Sequence, residues 1–308
     1  MDRNFIDCRG LVKIYKIANL EVVALQGLDL KIKKSEMIGI IGPSGSGKTS
    51  LMNILGGLDI PSAGKVTVAN KDLIRMTHHE RLIYRRHTVG FVWQNVSRNL
   101  IPYLTAIENV HLPMILSGNF NPQRANHLLE LVGLGKRKHH RPINMSGGEQ
   151  QRVAIAIGIA NNPSLLLADE PTGSLDSENT VQLIKVFNEV RIETGITTVI
   201  VTHDTAMAKK LDRYIEIRDG KTSVESVPQS TIEKVFESQV AKPKNYDSAT
   251  VEPFNSNNTS TSTHEDYTLL DSAGRMQLSK KIRMAYGITD KIQLVEKEGH
   301  LIIYPIKK

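Results

Sequence analysis

One glycine-rich stretch constrains the fold of this chain more than any other feature of its sequence. It lies between the apolar run Met37–Ile41 and a helix-compatible segment that extends from Ser50 to Leu58. Glycines allow successive backbone N–H groups to turn inward onto phosphate oxygens, and the helix N-terminus adds the positive end of its dipole. This order of strand, loop and helix predicts a nucleotide-phosphate site and disfavours a loop that only turns a corner. The residues predicted to contact the nucleotide are Gly42, Pro43, Ser44, Gly45, Ser46, Gly47, Lys48, Thr49 and Ser50.

The residues that end this glycine loop (42–49) predict its chemistry. Lys48 is placed to reach the β- and γ-phosphates, and the Thr49 hydroxyl is placed to hold Mg²⁺. A second apolar run, residues 165–168, ends in the acid pair Asp169 and Glu170 at the sheet edge where the glycine loop also lies. We expect Asp169 to bind Mg²⁺ through water and Glu170 to polarise the attacking water as general base. The alternative is a pair of surface acids that ends a strand.

Composition and charge limit the classes of protein to which the chain can belong. Its 308 residues provide room for one large domain and one small one. The single cysteine, Cys8, allows no internal disulfide, and no apolar run has the length of a membrane span. Residues 1–4 lack the apolar stretch of a signal peptide, so we expect a cytosolic protein. The net charge of +7 permits an acidic partner such as membrane headgroups or nucleic acid, but a mildly basic soluble surface is the simpler explanation.

The sequence divides into three parts. Short β-rich runs alternate with helical patterns up to about residue 227 and predict an α/β domain over residues 1–228. Residues 255–263 are polar and uncharged and have almost nothing to bury, so we predict a flexible linker over residues 229–266. A small ordered domain, the C-terminal module, is predicted over residues 267–308. The main predicted strands are Val22–Ile32, Lys65–Val68, Leu165–Ala168 and Thr197–Val201, with helices between residues 105 and 141 and at Glu178–Glu193.

A further motif identifies the family that the first domain resembles. The signature residues Ser146, Gly147, Gly148 and Glu149 lead into a helix-compatible segment and stand shortly before the acid pair. Alone this motif is weak, but the order resembles the signature sequence of ATP-binding-cassette (ABC) ATPases. The resemblance covers residues 1 to about 225. It implies an ABC-type P-loop ATPase domain with a helical subdomain, which binds ATP and Mg²⁺ and hydrolyses ATP.

The resemblance implies roles for four residues that are unremarkable by type. Tyr15 would stack on adenine, and Gln94 would sense Mg²⁺ and the attacking water and move the contact with the transporter. Asp176 lies in the loop that crosses between subunits, and His203 would contact the γ-phosphate and the catalytic water. The signature residues would complete the ATP site of the partner subunit, because one chain supplies only half of the γ-phosphate donors. The expected working unit is therefore a homodimer.

Three segments resemble one branch of this family, the ATPases of macrolide export, lipoprotein release and cell division. They are Ala168–Asp176, Gly56–Gly64 and Leu104–Val110. The branch implies a membrane permease of the macrolide-export or cell-division type as partner. It also implies export or extraction of a lipid, lipoprotein, peptide or drug, with the chain at the cytoplasmic face of the membrane. The sequence departs from the family pattern at Met145, where leucine is usual, and at residues 157–158, where Arg-Ala is usual.

The C-terminal module follows a separate pattern. A turn at Asp271 leads to a short strand, Ser279 is placed to cap a short helix that ends at Gly287, and residues 291–296 and 300–306 predict a hairpin. The pattern is similar to the AbrB/SpoVT family, whose swapped hairpins interlock two chains, and implies a small β-rich dimerisation domain. Neighbouring acids dilute the basic patch by which such domains often bind DNA, so we favour dimerisation over DNA binding. The basic residues concerned are Arg275, Lys280, Lys281 and Arg283.

The sequence leaves two other functions open. A soluble ABC ATPase of DNA repair would carry a very long coiled-coil insertion before the signature residues, and one of translation would usually carry two cassettes. This sequence has neither. An ATP-responsive DNA-binding regulator would instead use the C-terminal module on DNA. Co-purification with a multi-span membrane protein, as opposed to enrichment on DNA, separates these functions.

Overall fold

The computed structural model describes residues 4–17, 20–173, 175–228, 264–271, 274–278, 280–288, 292–297 and 300–305. The predicted linker lies outside the described residues except for residues 264–266, and the predicted helix cap Ser279 also lies outside them. Within the described part of the chain, no helix combines the length and the apolar character needed to cross a bilayer.

A seven-stranded sheet forms the centre of the fold. Five neighbouring strands of this sheet run parallel to one another. Two further strands pair antiparallel at one edge of the sheet. The predicted apolar runs at residues 165–168 and 197–201 are confirmed as neighbouring buried strands, as expected where helices cover a parallel sheet. In spatial order the strands are β11 (His264–Thr268), β10 (Lys221–Pro228), β9 (Arg213–Arg218), β3 (Met37–Ile41), β8 (Thr197–Val201), β7 (Leu165–Asp169) and β6 (Val89–Val92).

A second, antiparallel sheet lies beside the first. It contains, in spatial order, β2 (Leu20–Ile32), β1 (Ile6–Ile17), β4 (Ala63–Val68) and β5 (Lys71–Asp72). The predicted strands at residues 22–32 and 65–68 belong to it. The long β1–β2 pair brings residues near Tyr15 and Val22 to one end of the sheet, where they pair directly. That end overhangs the glycine loop.

Helices cover the central sheet, and several start with reciprocal side-chain caps. The Thr77 and Thr105 hydroxyls accept from the N–H of the glutamate three residues later, and that glutamate accepts from the N–H of the threonine. The helices are α1 (Lys48–Leu55), α2 (His78–His87), α3 (Ala106–Leu116), α4 (Pro122–Leu131), α5 (Gly147–Gly158), α6 (Ser177–Thr194), α7 (Thr205–Ala208) and α8 (Lys280–Ala285). Helices α3 and α4 occupy the stretch that the sequence predicted to be mostly helical.

The side chains of the central sheet alternate between two cores. In β7, Leu165 and Leu167 belong to the core shared with β1, β2 and α1, whereas Leu166 and Ala168 belong to the core shared with α3 to α6. Burying each large apolar side chain contributes about 1.5–3 kcal/mol, so a one-residue slip of this strand would be costly. The register of β7 therefore fixes where Asp169 emerges at the carboxyl edge of the sheet.

The C-terminal residues begin as part of the central sheet. Strand β11 pairs antiparallel with β10, from Val224 opposite Thr268 to Pro228 opposite His264. Leu269 extends the contact, because its N–H donates to the Ser223 carbonyl at 3.0 Å and its side chain packs against the core below β1 and β2. The predicted boundary between linker and module, at 266/267, thus falls inside a strand. Because this pairing is made by backbone hydrogen bonds, the side-chain pattern of the sequence does not predict the strand.

The remainder of the C-terminal module is small. Helix α8 is followed by Gly287, whose φ of 64° suits a helix end, and the predicted hairpin consists of β12 (Ile292–Lys297) and β13 (His300–Pro305). The Met284 side chain is 72% exposed and Leu294 is 52% exposed. A two-stranded hairpin is at best marginally stable by itself and needs further strands or a packed helix. Exchange of hairpins between two chains stays a prediction.

Candidate functional site

The glycine loop adopts the conformation that its composition predicts. Gly47 has a φ of 101°, and a Cβ added there would lie 2.4 Å from the Ala24 carbonyl oxygen. Gly42 has a φ of 153°, and a Cβ there would lie 2.1 Å from the Ile217 carbonyl oxygen. Any side chain at either position would collide with neighbouring backbone. The loop therefore packs between β2 and β9, and only glycine fits at positions 42 and 47.

A cavity of about 480 Å³ opens beside this loop. It brings together most of the predicted site residues, although they are scattered over the first two thirds of the chain. Gly42 and Pro43, the first two residues of the loop, do not line the cavity, and neither do the signature residues or Asp176. The predicted residues that line it are Tyr15, Ser44, Gly45, Ser46, Gly47, Lys48, Thr49, Ser50, Gln94, Asp169, Glu170 and His203.

Lys48 lies folded along the base of the cavity. Its Nζ donates to the carbonyl oxygens of Gly42 at 2.7 Å and Pro43 at 2.8 Å. Burial lowers the pKa of the Lys48 ammonium, and the nearby charges of Glu170 and Asp169 act in the opposite direction. The positive end of Lys48 is thus held at the loop by groups that a phosphate oxygen could replace.

The acid pair faces Lys48 from the end of β7. Burial, together with the negative charge of Glu170, raises the pKa of the Asp169 carboxyl. Glu170 has a φ of 45°, a left-handed conformation that is uncommon for a residue other than glycine. Its N–H donates to the Val201 carbonyl at 2.8 Å, which ties this turn to the end of β8. Such strained positions are concentrated at functional sites, where the surrounding structure holds them in place.

The Glu170 carboxylate is oriented by two groups that follow β8. The Thr202 hydroxyl donates to Oε2 at 3.1 Å, and His203 Nδ1 lies 2.8 Å from Oε1. Thr202 is itself positioned, since its Oγ1 accepts from the Asp204 N–H at 3.0 Å. Thr202 is not among the residues that the sequence predicted. Its place directly before the predicted His203 was the available signal.

Gln94 extends from the end of β6 into the cavity. A Cβ added at Gly173 would lie 3.3 Å from Gln94 Nε2, so this amide stands against the turn that follows the acid pair. The loop that carries Gln94 is held by the Asn99 side chain, which accepts from the Trp93 N–H at 3.0 Å and donates to the Trp93 carbonyl at 2.9 Å. Gln94 is exposed, and its position between two loops suits a residue that connects them.

The start of α5 carries the signature residues, and it lies away from the cavity of its own chain. Ser146 Oγ accepts from the Glu149 N–H at 3.2 Å, while Glu149 accepts from the Ser146 N–H at 2.8 Å and from Arg137 Nε at 3.1 Å. Burial alone would raise the pKa of Glu149, but these hydrogen bonds and the charge of Arg137 outweigh it, so the pKa lies below its usual value. Ser146 and Gly147 are both exposed.

The Asp176 loop lies next to the signature residues. Asp176 caps α6 by accepting from the Asn179 N–H at 2.8 Å, and its other oxygen accepts from Asn179 Nδ2 at 2.9 Å. A Cβ added at Gly148 would lie 2.9 Å from Asn179 Oδ1, so the two helix starts are in close contact. The structure therefore forms two separate groups of predicted residues, one around the cavity and one on an exposed surface.

The cavity suits a polyphosphate with a divalent cation. The helix start, the loop N–H groups and Lys48 offer donors and positive charge to phosphate oxygens. The Thr49 hydroxyl and the Asp169 carboxylate line the same space, and oxygen ligands of this kind are those that Mg²⁺ prefers. The oriented Glu170 carboxylate could accept a proton from water placed between it and the phosphates.

Comparison with known proteins agrees with this geometry. Residues 25–173 match the protein family described as ABC transporter. This range includes the glycine loop, the signature residues and the acid pair, and it excludes Tyr15, Asp176 and His203. The chain is also 42% identical over 222 residues to the lipoprotein-releasing system ATP-binding protein LolD 2 of Caulobacter vibrioides, covering 71% of this chain and 96% of that protein.

Two further similarities concern a longer relative and a solved structure. The chain is 39% identical over 251 residues to the macrolide export ATP-binding/permease protein MacB of Syntrophobacter fumaroxidans, which covers 80% of this chain but only 35% of that protein. It also resembles the ATP-binding cassette MJ0796 in a dimeric post-hydrolysis state bound to ADP and Pi. That match has a TM-score of 0.64 and 38% identity, covering 71% of this chain and 97% of the other.

Proposed function

The chain belongs to the family of ABC transporter ATPases, and on this premise we propose that two copies of it enclose ATP between the glycine loop of one copy and the signature residues of the other. It is an ATP-hydrolysing subunit that energises a membrane permease. The observation that carries the proposal is the separation of the two residue groups. Ser146 and Gly147 are exposed, and none of the signature residues lines the cavity of its own chain, so a second copy can supply them to that cavity.

The residues of the cavity have separate roles in binding ATP and in its hydrolysis. Backbone N–H groups of the glycine loop and Lys48 bind the phosphates, and Tyr15 lies against the adenine. The carboxylate of Glu170, held by Thr202 and His203, takes a proton from the attacking water. His203 also contacts the γ-phosphate. Most of the rate enhancement comes from positive charge and donors that are already oriented before the reaction.

The residues present fit Mg²⁺ as the companion of ATP. Thr49, Asp169 and Gln94 line one side of the cavity and would hold it, Asp169 through water. Bound there, Mg²⁺ would neutralise part of the phosphate charge. Gln94 in addition reports the state of the site to the transporter contact, because it lines the cavity and its amide stands against the turn at Gly173.

We infer that the permease is of the macrolide-export or lipoprotein-release type. The similarity to LolD 2 covers 96% of that protein. The similarity to MacB covers 35% of that longer ATP-binding/permease protein. Export or extraction of a lipid, lipoprotein, peptide or drug is the transport class that follows. The chain would then act at the cytoplasmic face of the membrane through its permease.

We assign dimerisation, and not DNA binding, to the C-terminal module. Arg275, the first residue of the basic patch, donates from Nε to Asp271 at 2.7 Å, and a Cβ at Gly27 would lie 3.3 Å from its guanidinium. This guanidinium is thus engaged within the chain and stands against β2. The exposed Met284 and Leu294 side chains instead favour burial against a second copy. Held together in this way, two copies would keep a high effective concentration without ATP.

Isolation of the tagged full-length chain from detergent-solubilised membranes of its own cells tests the proposal. We expect a multi-span membrane protein to copurify in comparable amount. Recovery from the soluble fraction alone, or recovery bound to DNA with a salt-sensitive affinity that Arg275→Ala removes, would favour the soluble ATPase or the regulator instead.

A further inference from the structure

A cluster of polar contacts lies directly behind Tyr15 and outside the cavity. Tyr15 donates from its hydroxyl to Asp59 Oδ2 at 2.9 Å, and Lys13 Nζ lies 2.6 Å from Asp59 Oδ1. Lys13 Nζ also donates to the Ile60 carbonyl at 2.9 Å. The Lys13 side chain is 11% exposed and that of Asp59 is 26% exposed, so the pair is mostly shielded from water. Both oxygens of this carboxylate are therefore engaged with β1.

The loop that carries Asp59 is fixed at both ends. On one side, the N–H groups of Leu58 and Asp59 donate to the Asn53 carbonyl near the end of α1, at 2.8 and 3.2 Å. On the other side, the Ser62 N–H donates to the Val12 carbonyl at 2.8 Å, which joins the loop to β1. Asp59 thus has a defined position relative to both the helix that follows the glycine loop and the strand that carries Tyr15.

The charge of Asp59 is maintained by its partners. Burial raises the pKa of this carboxyl, but the hydrogen bonds from Lys13, the Ile60 N–H and Tyr15 together outweigh burial and leave the pKa below its usual value. An ionised acceptor makes a stronger hydrogen bond with a phenol than a neutral one does. The orientation of Tyr15 is therefore fixed more firmly than a neutral contact would fix it.

The two faces of the Tyr15 ring have different surroundings. Lys13 Nζ stands 4.7 Å from the ring centroid, which is the geometry of a cation–π contact. The ring also lines the cavity, together with Val22, Val23 and Ala24. A planar base can stack only on a face that no ammonium group covers, so Lys13 selects the face at which the base is received.

We propose that Asp59, together with Lys13, positions the Tyr15 ring for the nucleobase and thereby sets the affinity for ATP. Asp59 belongs to the Gly56–Gly64 segment, which marks the branch of the family but had no assigned task. The inference rests on the proposed contact of Tyr15 with adenine. Asp59 does not line the cavity, and its carboxylate contacts Tyr15 and Lys13, so we expect its effect on ATP to pass through the ring.

Binding of two ligands to the full-length chain separates a role in base positioning from a general structural role. Calorimetry in the Glu170→Gln chain would compare Mg²⁺-ATP with Mg²⁺-tripolyphosphate, which has the phosphates but no base. We expect Asp59→Asn to weaken ATP binding about tenfold, because a charged hydrogen-bond acceptor is lost, and to change tripolyphosphate binding less than about twofold. Asp72→Asn, which removes an exposed acid outside the cavity, is the matched control and should change neither.

Further variants distinguish the inference from the proposed role of Tyr15. Tyr15→Ala should weaken ATP binding but not tripolyphosphate binding, and Asp59→Asn should add almost nothing in that background. Lys13→Met, which keeps a side chain of similar length over the ring, should give a smaller loss than Asp59→Asn.

Three results would overturn the inference. If Asp59→Asn and Lys13→Met weaken both ligands equally, the cluster supports α1 and not the base. If Tyr15→Ala weakens ATP binding while Asp59→Asn does not, the inference alone fails. If Tyr15→Ala leaves ATP binding unchanged, the assigned role of Tyr15 fails with it.

Discussion

Helices α1 and α5 both have glycines at or just before their first residue, and their first turns have different surroundings. Helix α1 starts at Lys48 within the cavity and has no side-chain cap, because its cap position is Gly47. Helix α5 starts on an exposed surface and is capped reciprocally by Ser146 and Glu149. Uncapped N–H groups at a helix start are free to bind an anion, whereas capped ones are already partly satisfied.

This difference indicates how one site can be divided between two copies. The α1 start needs no partner chain to form, since glycine, Lys48 and the acid pair surround it already. The α5 start is stable at the surface because its own side chains cap it, yet the two capping bonds use the N–H groups of Glu149 and Ser146 and not that of the exposed Gly147. We therefore expect changes near α1 to affect ATP binding or chemistry within one copy, and changes near α5 to affect only what two copies do together.

The largest effect is expected from Glu170→Gln. Removal of a general base typically lowers turnover by a factor of about 10²–10⁴, while the phosphate-binding groups stay in place. Steady-state phosphate release should therefore fall at least about a hundredfold with ATP affinity unchanged. Glu178→Gln, an exposed glutamate in the first turn of α6, is the control. Hydrolysis near the unmodified rate would show that another group takes the proton.

A change at the α5 start should separate binding from turnover. Ser146→Arg introduces a bulky cation where the partner's phosphates would approach, and we expect turnover to fall at least about tenfold. Calorimetry on dilute chain should show an ATP affinity within about twofold of the original, because Ser146 does not line the cavity of its own copy. A parallel loss of ATP affinity would mean that the two helix starts are not independent.

Behind the cavity, where Thr202 is fully buried, Thr202→Val should have a smaller effect. It removes the hydroxyl that donates to Glu170, and we expect kcat to fall about three- to tenfold with little change in KM. Thr198→Val is a closely matched control, since Thr198 is buried in β8, the strand that Thr202 follows, and its hydroxyl has no hydrogen-bond partner. If the two variants behave alike, the hydroxyl of Thr202 does not orient the base.

The smallest effect concerns stability at the α5 start. Glu149→Ala removes half of the reciprocal cap and should lower the free energy of unfolding by about 1 kcal/mol near neutral pH. The folded-state pKa of Glu149 is depressed, so its contribution is present above the unfolded pKa and is lost as pH falls through the folded value. Urea titrations at neutral and acidic pH should show the difference between the two proteins shrink on acidification. A difference that grows instead would contradict the assigned contacts.

Much of the cavity beside α1 could be predicted from the sequence, because the groups that bind phosphate come from contiguous residues. The glycine loop and the strand ending in Asp169 are readable from spacing alone. Lys13, Asp59 and Thr202 were missed, because ordinary residues acquire their roles only when distant segments meet. Strand β11 was missed for another reason, since its pairing with β10 uses backbone groups and its polar residues show no alternation.

Co-expression of two impaired chains in equal amounts, so that mixed pairs form as the chains fold, tests the central claim most directly. Lys48→Ala damages the glycine loop and leaves the signature residues intact, whereas Ser146→Arg does the reverse. If ATP is enclosed between copies, each mixed pair contains one intact site, and the co-expressed chains should hydrolyse ATP well above the sum of the two separate chains. Phosphate release from the co-expressed chains equal to that sum would show that each cavity works without its neighbour.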